Sequence, residues 1–84
     1  MATAHHHQVK EIVRSTRARQ NLSLAQFGRA IGVTRQAIYN WERGLNRPDP
    51  MLLIELTIRH SDWRADFARE CLITLKPELF EAPE

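Results

Sequence analysis

The 84-residue sequence has few of the features on which disulfide-bonded, membrane-embedded and catalytic proteins depend. Cys71 is the only cysteine, so no internal disulfide is possible, and a reducing compartment such as the cytoplasm is expected. No apolar run approaches the roughly 18 residues of a membrane helix, and no signal peptide is recognisable. The three glycines form no phosphate-binding loop, and no metal-ligand spacing occurs. We therefore expect no cofactor, metal, membrane or small-molecule ligand.

The first residues contain one biased tract, His5–His7, which is either native or derived from an expression tag. Three consecutive imidazoles cannot face one way on a helix, so the tract is a poor metal site. We interpret residues 1–7 as a disordered tail. Residues 8–76 are expected to form one domain, and residues 77–84 a C-terminal tail.

Charge is unevenly distributed along the chain. Residues 1–47 carry eight Lys or Arg against two Asp or Glu, a net charge of +6, whereas residues 48–84 carry four against eight, a net charge of −4. A basic half beside an acidic half suggests a surface that binds a polyanion and a separate solvated or partner-binding surface. A chance distribution of surface charge explains the same counts, so charge alone does not establish a polyanion-binding surface.

From residue 8 onward the apolar residues recur with helical period, and no alternating strand pattern of useful length occurs. Ser23 and Gln26 have the spacing of a capping box, and Thr34 and Asp49 are predicted as further N-caps. The fold class is therefore all-α. Five helices are predicted: residues 9–20, Ser23 to Gly32, Thr34 to Gly44, 50–59, and Ser61 or Asp62 to about Leu75, before Pro77.

Helices two and three are joined at Gly32-Val33, a turn so short that it forces a steep crossing. Gly28 lies one helical turn before Gly32. A glycine within a helix costs about 1 kcal/mol relative to alanine, which a close approach of helix three would offset. The segment is predicted to be a helix-turn-helix.

The segment combines helix caps, a turn glycine and apolar anchors at fixed spacing. The positions are Leu22, Ser23, Phe27, Gly28, Ile31, Gly32, Val33, Thr34, Ile38, Trp41, Glu42, Gly44 and Pro48. In this set the sequence resembles the phage repressor and Cro family of helix-turn-helix proteins (XRE-like transcriptional regulators). The resemblance covers about residues 9–60. It implies a lambda-repressor-like DNA-binding domain in which the third helix enters the major groove of double-stranded DNA.

The outward face of helix three carries side chains suited to reading base edges. Arginine can donate two hydrogen bonds to guanine, and glutamine or asparagine can pair with adenine through one donor and one acceptor. We predict Arg35, Gln36 and Asn40 as base contacts, with Tyr39 a base or phosphate contact. A solvated helix face favours the same residue types and is the alternative.

The resemblance also implies phosphate contacts and one structural ion pair. Arg43 and Arg47 are the best phosphate candidates, with Thr34, Ser23 and Arg14 also assigned to phosphate. Arg17 and Glu42 stand where similar proteins pair helix one with helix three. The sequence departs from the family at Leu24, where many relatives have a glutamine that binds the DNA backbone.

The role of the apolar stripe of helix five is the hardest to infer from the sequence. Such a stripe is most often core, but in so short a chain part of it can form a two-fold interface. We predict a homodimer through helix five or the C-terminal tail, with Trp63, Phe67, Leu75 and Phe80 at the interface.

The resulting hypothesis is a transcriptional repressor of bacterial, phage or plasmid origin that binds a pseudo-palindromic operator as a dimer. The main alternative is an antitoxin or other interaction module of the same fold whose partner is a protein. RNA binding is disfavoured because few exposed aromatics are available for stacking. An enzyme is not expected, because Cys71 and His60 have no third orienting group and no evident pocket.

Overall fold

The structure, a computed structural model, describes residues 8–81, and within that range it contains five α-helices, one short 3-10 helix and no strand. The five predicted helices are confirmed. The first seven residues, including His5–His7, lie outside the described range, as do residues 82–84. The elements are α1 (Val9–Gln20), α2 (Leu24–Ile31), α3 (Arg35–Glu42), α4 (Pro50–Arg59), α5 (Trp63–Leu75) and the 3-10 helix Pro77–Phe80.

Side-chain caps fix where α2 and α3 begin. Ser23 and Gln26 form the predicted capping box: Gln26 N–H donates to Ser23 Oγ (3.1 Å), and Ser23 N–H donates to Gln26 Oε1 (2.9 Å). Thr34 Oγ1 accepts from Ala37 N–H at 3.0 Å. Asp49 is the N-cap of α4, as predicted, although its carboxylate accepts no backbone N–H. The α4 helix begins with Pro50, whose ring presets the helical φ angle.

The joint between α2 and α3 is compact because two glycines occupy it. Gly32 ends α2 with φ +83°, a left-handed conformation that side chains rarely adopt. Gly28 lies against the backbone that follows, so that a Cβ there would be 2.6 Å from the Val33 carbonyl oxygen. The close approach predicted at Gly28 is confirmed, and its partner is the turn backbone between the two helices.

Phe27 of α2 is at the centre of the hydrophobic core. Its ring is fully buried and packs edge-to-face on two rings of α5. The distance between ring centroids is 5.4 Å to Trp63 and 5.2 Å to Phe67. The α5 helix also packs on α1 and α4, while α3 packs on α1 and α2. The core therefore fixes α2 and α3 to the rest of the domain from the side opposite to the exposed face of α3.

This packing corrects the predicted dimer surface. Phe67 is only 1% exposed and cannot contact a second chain, because it fills the space beside Phe27. Trp63 and Leu75 are half-buried and pack against the same core. Phe80 alone of the four predicted residues is exposed, at 47%, in the 3-10 helix that packs on α5.

The start of α5 is tied to α2 through Arg64. Its guanidinium forms an ion pair with Asp62 at 2.7 Å and donates to the Ala30 carbonyl oxygen at 3.3 Å. Asp62 also accepts from the Arg64 backbone N–H at 3.0 Å and so caps α5. These contacts join the end of α2 to the beginning of α5.

Acid is expected to weaken this junction. Hydrogen bonds from Arg64 lower the pKa of Asp62 from its ordinary 3.8 to about 2. Because the folded-state pKa is lowered, the contribution of the Asp62 charge is fully present above pH 3.8 and is lost as pH falls through about 2. The stability difference between the wild type and Asp62→Asn, measured by chemical denaturation over this range, should therefore shrink toward low pH. Asparagine keeps a capping oxygen, so a difference that is constant with pH would contradict the assignment.

Candidate nucleic-acid interface

The outward surface of α3 is a continuous polar arc. Arg35, Gln36 and Tyr39 are exposed and Asn40 is half-buried, while Ile38 and Trp41 on the inner side are buried. Helical geometry places residues 35, 36, 39, 40 and 43 within roughly 140° of one another around the axis. All four residues predicted as base contacts are thus on one accessible face.

Two pairs of side chains along this arc hydrogen-bond to each other. Gln36 Nε2 donates to Asn40 Oδ1 at 3.1 Å, and Arg43 Nη1 donates to the Tyr39 hydroxyl at 2.9 Å. The Arg43 guanidinium also lies over the Tyr39 ring, 5.5 Å from its centroid. Sequence reasoning missed both pairs, although their i, i+4 spacing was the available signal.

Three arginines predicted to contact DNA have guanidinium groups without a partner among the described residues. Within residues 8–81, Arg35, Arg47 and Arg14 make no hydrogen bond or ion pair, and all three are exposed. A guanidinium in this state can donate its N–H groups to base edges or phosphate oxygens without first losing a protein partner.

The two capping hydroxyls retain a donor for an anion. Ser23 Oγ and Thr34 Oγ1 each accept one backbone N–H, and a hydroxyl that accepts a hydrogen bond still has its own O–H to donate. Each is exposed at the start of its helix, α2 or α3, where the helix dipole favours negative charge. Both predicted phosphate contacts are therefore accessible and chemically suited to the role.

Arg17 and Glu42 form a bidentate ion pair that fixes α3 on α1. Arg17 Nε is 2.5 Å from Glu42 Oε2, and Nη2 is 3.1 Å from Oε1. Arg17 Nη1 also donates to the Leu22 carbonyl oxygen at 3.1 Å. The hydrogen bonds with Glu42 raise the pKa of Arg17 above its ordinary value. One arginine thus ties together α1, the connection before α2, and the end of α3.

Leu24, where the sequence departs from the family, is half-buried and packs against the core. Leucine has no polar group with which to hold a phosphate. Beyond α3, Leu45 in the following loop is exposed, as are Met51 and Ile58 of α4. The exposed apolar residues at the end of the chain are Ile73, Leu79 and Phe80.

A shallow groove of about 300 Å³ lies between α1 and α5, away from α3. It is lined by Glu11, Ile12, Ser15, Arg19 and Glu70. Neither Cys71 nor His60 lines it; Cys71 is buried in the core, where desolvation raises the pKa of its thiol. In the described part of the chain, no cluster of His, Cys, Asp or Glu residues could hold a metal ion. Among residues 8–81 each helix is also too short or too polar to span a bilayer.

Comparison with known proteins agrees with this geometry. A family model described as helix-turn-helix matches residues 13–57, which are 45 of the 84 residues and include most of α1, all of α2 and α3, and most of α4. Searches of curated proteins and of solved structures gave no significant match. The five helices and the capped α2–turn–α3 unit are those of a lambda-repressor-like fold. The chain belongs to the helix-turn-helix family of DNA-binding regulators, of the phage repressor and Cro type.

Proposed function

We propose that this protein is a sequence-specific transcriptional repressor that binds a pseudo-palindromic operator in double-stranded DNA as a homodimer. It acts in the cytoplasm of a bacterium, as a product of the bacterial, a phage or a plasmid genome. The observation that carries the proposal is the polar arc of α3, in which Arg35, which pairs with no residue in the described range 8–81, lies beside two amide side chains on an exposed face. Arginine and amide side chains are the commonest specific readers of guanine and adenine.

Base recognition is assigned to the first turns of α3. Arg35 and Gln36 are its first two residues, and the N-terminal residues of a recognition helix reach base edges in the major groove. Arg35 donates to guanine O6 and N7, and the Gln36–Asn40 pair faces the neighbouring base pairs. The ion pair of Arg17 with Glu42 holds the far end of α3, so the helix enters the groove as a rigid element.

Phosphate contacts are assigned to the C-terminal end of α3 and to the segments beside it. Tyr39 and Arg43 act together there, because the Tyr39 hydroxyl accepts from Arg43 and is left to donate its own proton to a phosphate oxygen. The guanidinium of Arg43 supplies the positive charge. Arg47, Thr34, Ser23 and Arg14 complete the set of backbone contacts, and they position the protein without selecting sequence.

Dimerisation is assigned to the end of the chain. A recognition helix of eight residues reads a short half-site, and two copies on a two-fold axis double it. Phe80, Leu79 and Ile73 form the exposed apolar surface of α5 and the 3-10 helix, and we assign this surface to a second copy. Two recognition helices would then lie about one helical turn of DNA, roughly 34 Å, apart.

Selection of binding sites from a random duplex library, combined with the molar mass of free and bound protein, tests the proposal. The expected result is a two-fold symmetric motif bound by two chains. Weak binding that depends on salt, with no motif enriched, would mean that this fold serves a protein partner. Co-purification from the native host would then be the experiment that identifies it.

Arg35 and Arg47 are expected to separate sequence reading from phosphate binding. Arg35→Ala should weaken binding to the selected site by about 1–3 kcal/mol and relax the preference at one base pair. Arg47→Ala should weaken binding to all duplexes alike and reduce the slope of log affinity against log salt by about one. Each variant is the control for the other, since both remove one exposed, unpaired guanidinium. Equal loss on every sequence for Arg35→Ala would make Arg35 a phosphate contact.

A further inference from the structure

Gln36 and Asn40 are both predicted base contacts, but their hydrogen bond makes their roles unequal. Gln36 Nε2 is the donor and Asn40 Oδ1 the acceptor, at 3.1 Å. Gln36 is the exposed member and lies in the first turn of α3, whereas Asn40 is half-buried and one turn further along. The longer and more accessible amide is therefore held by the shorter and less accessible one.

The bond leaves the Gln36 amide with one donor and one acceptor for a base. A primary amide has two N–H donors and one carbonyl oxygen. After one N–H is donated to Asn40, the second N–H and the whole of Oε1 remain. Adenine presents one acceptor, N7, and one donor, N6–H, to the major groove, and this pattern is the complement of the remaining groups.

We propose that Asn40 is a positioning residue that holds the Gln36 amide in the orientation that reads adenine, and that Gln36 alone of the two contacts the base. The inference rests on the proposed function. It adds that the base is adenine and that the two residues have different roles, one in contact and one in positioning. A Gln36 amide without this hydrogen bond can rotate by half a turn, so that its oxygen and nitrogen exchange places. An N–H donor of Gln36 would then face the N6–H donor of adenine. In this structure Asn40 turns its Oδ1, and not its N–H₂ group, toward Gln36, and an acceptor at this place favours one of the two Gln36 orientations.

Pre-ordering gives the arrangement a second effect. A glutamine side chain is flexible, and the freedom that it loses on binding opposes complex formation. Because Gln36 is already hydrogen-bonded in the free protein, less of that freedom remains to be lost. Asn40 therefore raises both the affinity for the adenine-containing site and the discrimination at that base pair.

The test is site selection with Gln36→Ala, Asn40→Ala and the double variant, compared with the wild type. Gln36→Ala should reduce the preference for adenine at one position by roughly 5- to 150-fold. Asn40→Ala should reduce the preference at the same position, by a smaller factor. The double variant should match Gln36→Ala, because Asn40 has no effect without Gln36. Alanine is a better helix former than asparagine or glutamine, so none of these changes weakens α3 itself.

Two further measurements separate positioning from direct reading. Replacing N7 of that adenine by carbon (7-deazaadenine) in the selected duplex should weaken wild-type binding and leave Gln36→Ala unaffected. Asn40→Asp keeps an oxygen that accepts from Gln36 but removes every N–H donor of Asn40. It should retain the adenine preference, while its negative charge lowers affinity for all duplexes by a common factor.

Changed preference at a different base pair in Asn40→Ala would overturn the inference, since Asn40 would then read its own base. So would unchanged preference at every position, or loss of the adenine preference in Asn40→Asp. In these cases the wild type still selects a motif, and the proposed function stands. If the wild type selects no motif, the proposed function fails as well.

Discussion

Replacing Arg17 by methionine is expected to lower the free energy of unfolding by about 2–3 kcal/mol, near or below the lower end of the range for breaking a buried ion pair. The side chain of Glu42 is only 11% exposed and that of Arg17 29%, so the remaining carboxylate would be largely buried without its partner. The Leu22 carbonyl would lose its donor as well. Thermal unfolding should detect a decrease in Tm of about 10–20 °C.

Arg14→Met is the matched control, because it makes the same chemical change at an exposed arginine of the same helix that pairs with no other residue of the described chain. It should change Tm little. Adding Glu42→Leu to Arg17→Met should recover part of the loss, since the buried charge is then removed. Equal destabilisation by the two arginine variants would show that the Arg17–Glu42 pair does not hold α3 in place.

Alanine at Gly28 is the second substitution with a large expected effect. Alanine normally stabilises a helix relative to glycine by about 1 kcal/mol. Here its Cβ would lie 2.6 Å from the Val33 carbonyl oxygen and 3.1 Å from the Thr34 carbonyl carbon and oxygen. These are backbone atoms that cannot rotate away, so we expect net destabilisation of about 1–3 kcal/mol, measured by chemical denaturation. DNA affinity should fall too, because the only relief is to move α3 away from α2.

Gly32 provides a contrasting control at the same joint. A Cβ at Gly32 meets nothing within 4 Å, and the obstacle there is the positive φ of +83°. Asparagine tolerates this conformation better than alanine, so Gly32→Asn should be milder than Gly32→Ala. At Gly28 any side chain meets the same carbonyl, and Gly28→Asn should be no milder than Gly28→Ala. If Gly28→Ala raises stability, the close approach is not a constraint.

The features that the sequence predicted well are those set by residues close together in the chain. The capping box of Ser23 and Gln26, the cap at Thr34 and the left-handed Gly32 each depend on a few neighbouring residues, and all three are present. Asp49 and Pro50 also begin α4 as predicted, although the Asp49 carboxylate makes no hydrogen bond to a backbone N–H of the helix. Local signals therefore located the helices more reliably than they identified each bond.

Features that depend on packing between distant segments were harder to predict. Apolar spacing on α5 cannot tell a residue that packs on Phe27 from one that meets a second chain, so Phe67 was misplaced. The contact of Arg64 with the Ala30 carbonyl joins residues 34 positions apart and has no sequence signature. Along α3 the residue types predicted an interface, but the division into two hydrogen-bonded pairs required side-chain geometry.

The opposite charges of the two halves have a consequence for the rate at which the protein meets DNA. The arginines of α1 to α3 and the loop after them belong to the positive half, and the carboxylates of α5 and the 3-10 helix belong to the negative half. Opposite net charges on two parts of a molecule give it a dipole, and the field around a polyanion turns a dipole as well as attracting it. Under the proposed function, we expect this field to favour encounters in which the arginines of the positive half, which contains α3, face the DNA, so that a larger share of encounters is productive. Added salt shortens the range of this torque and slows association.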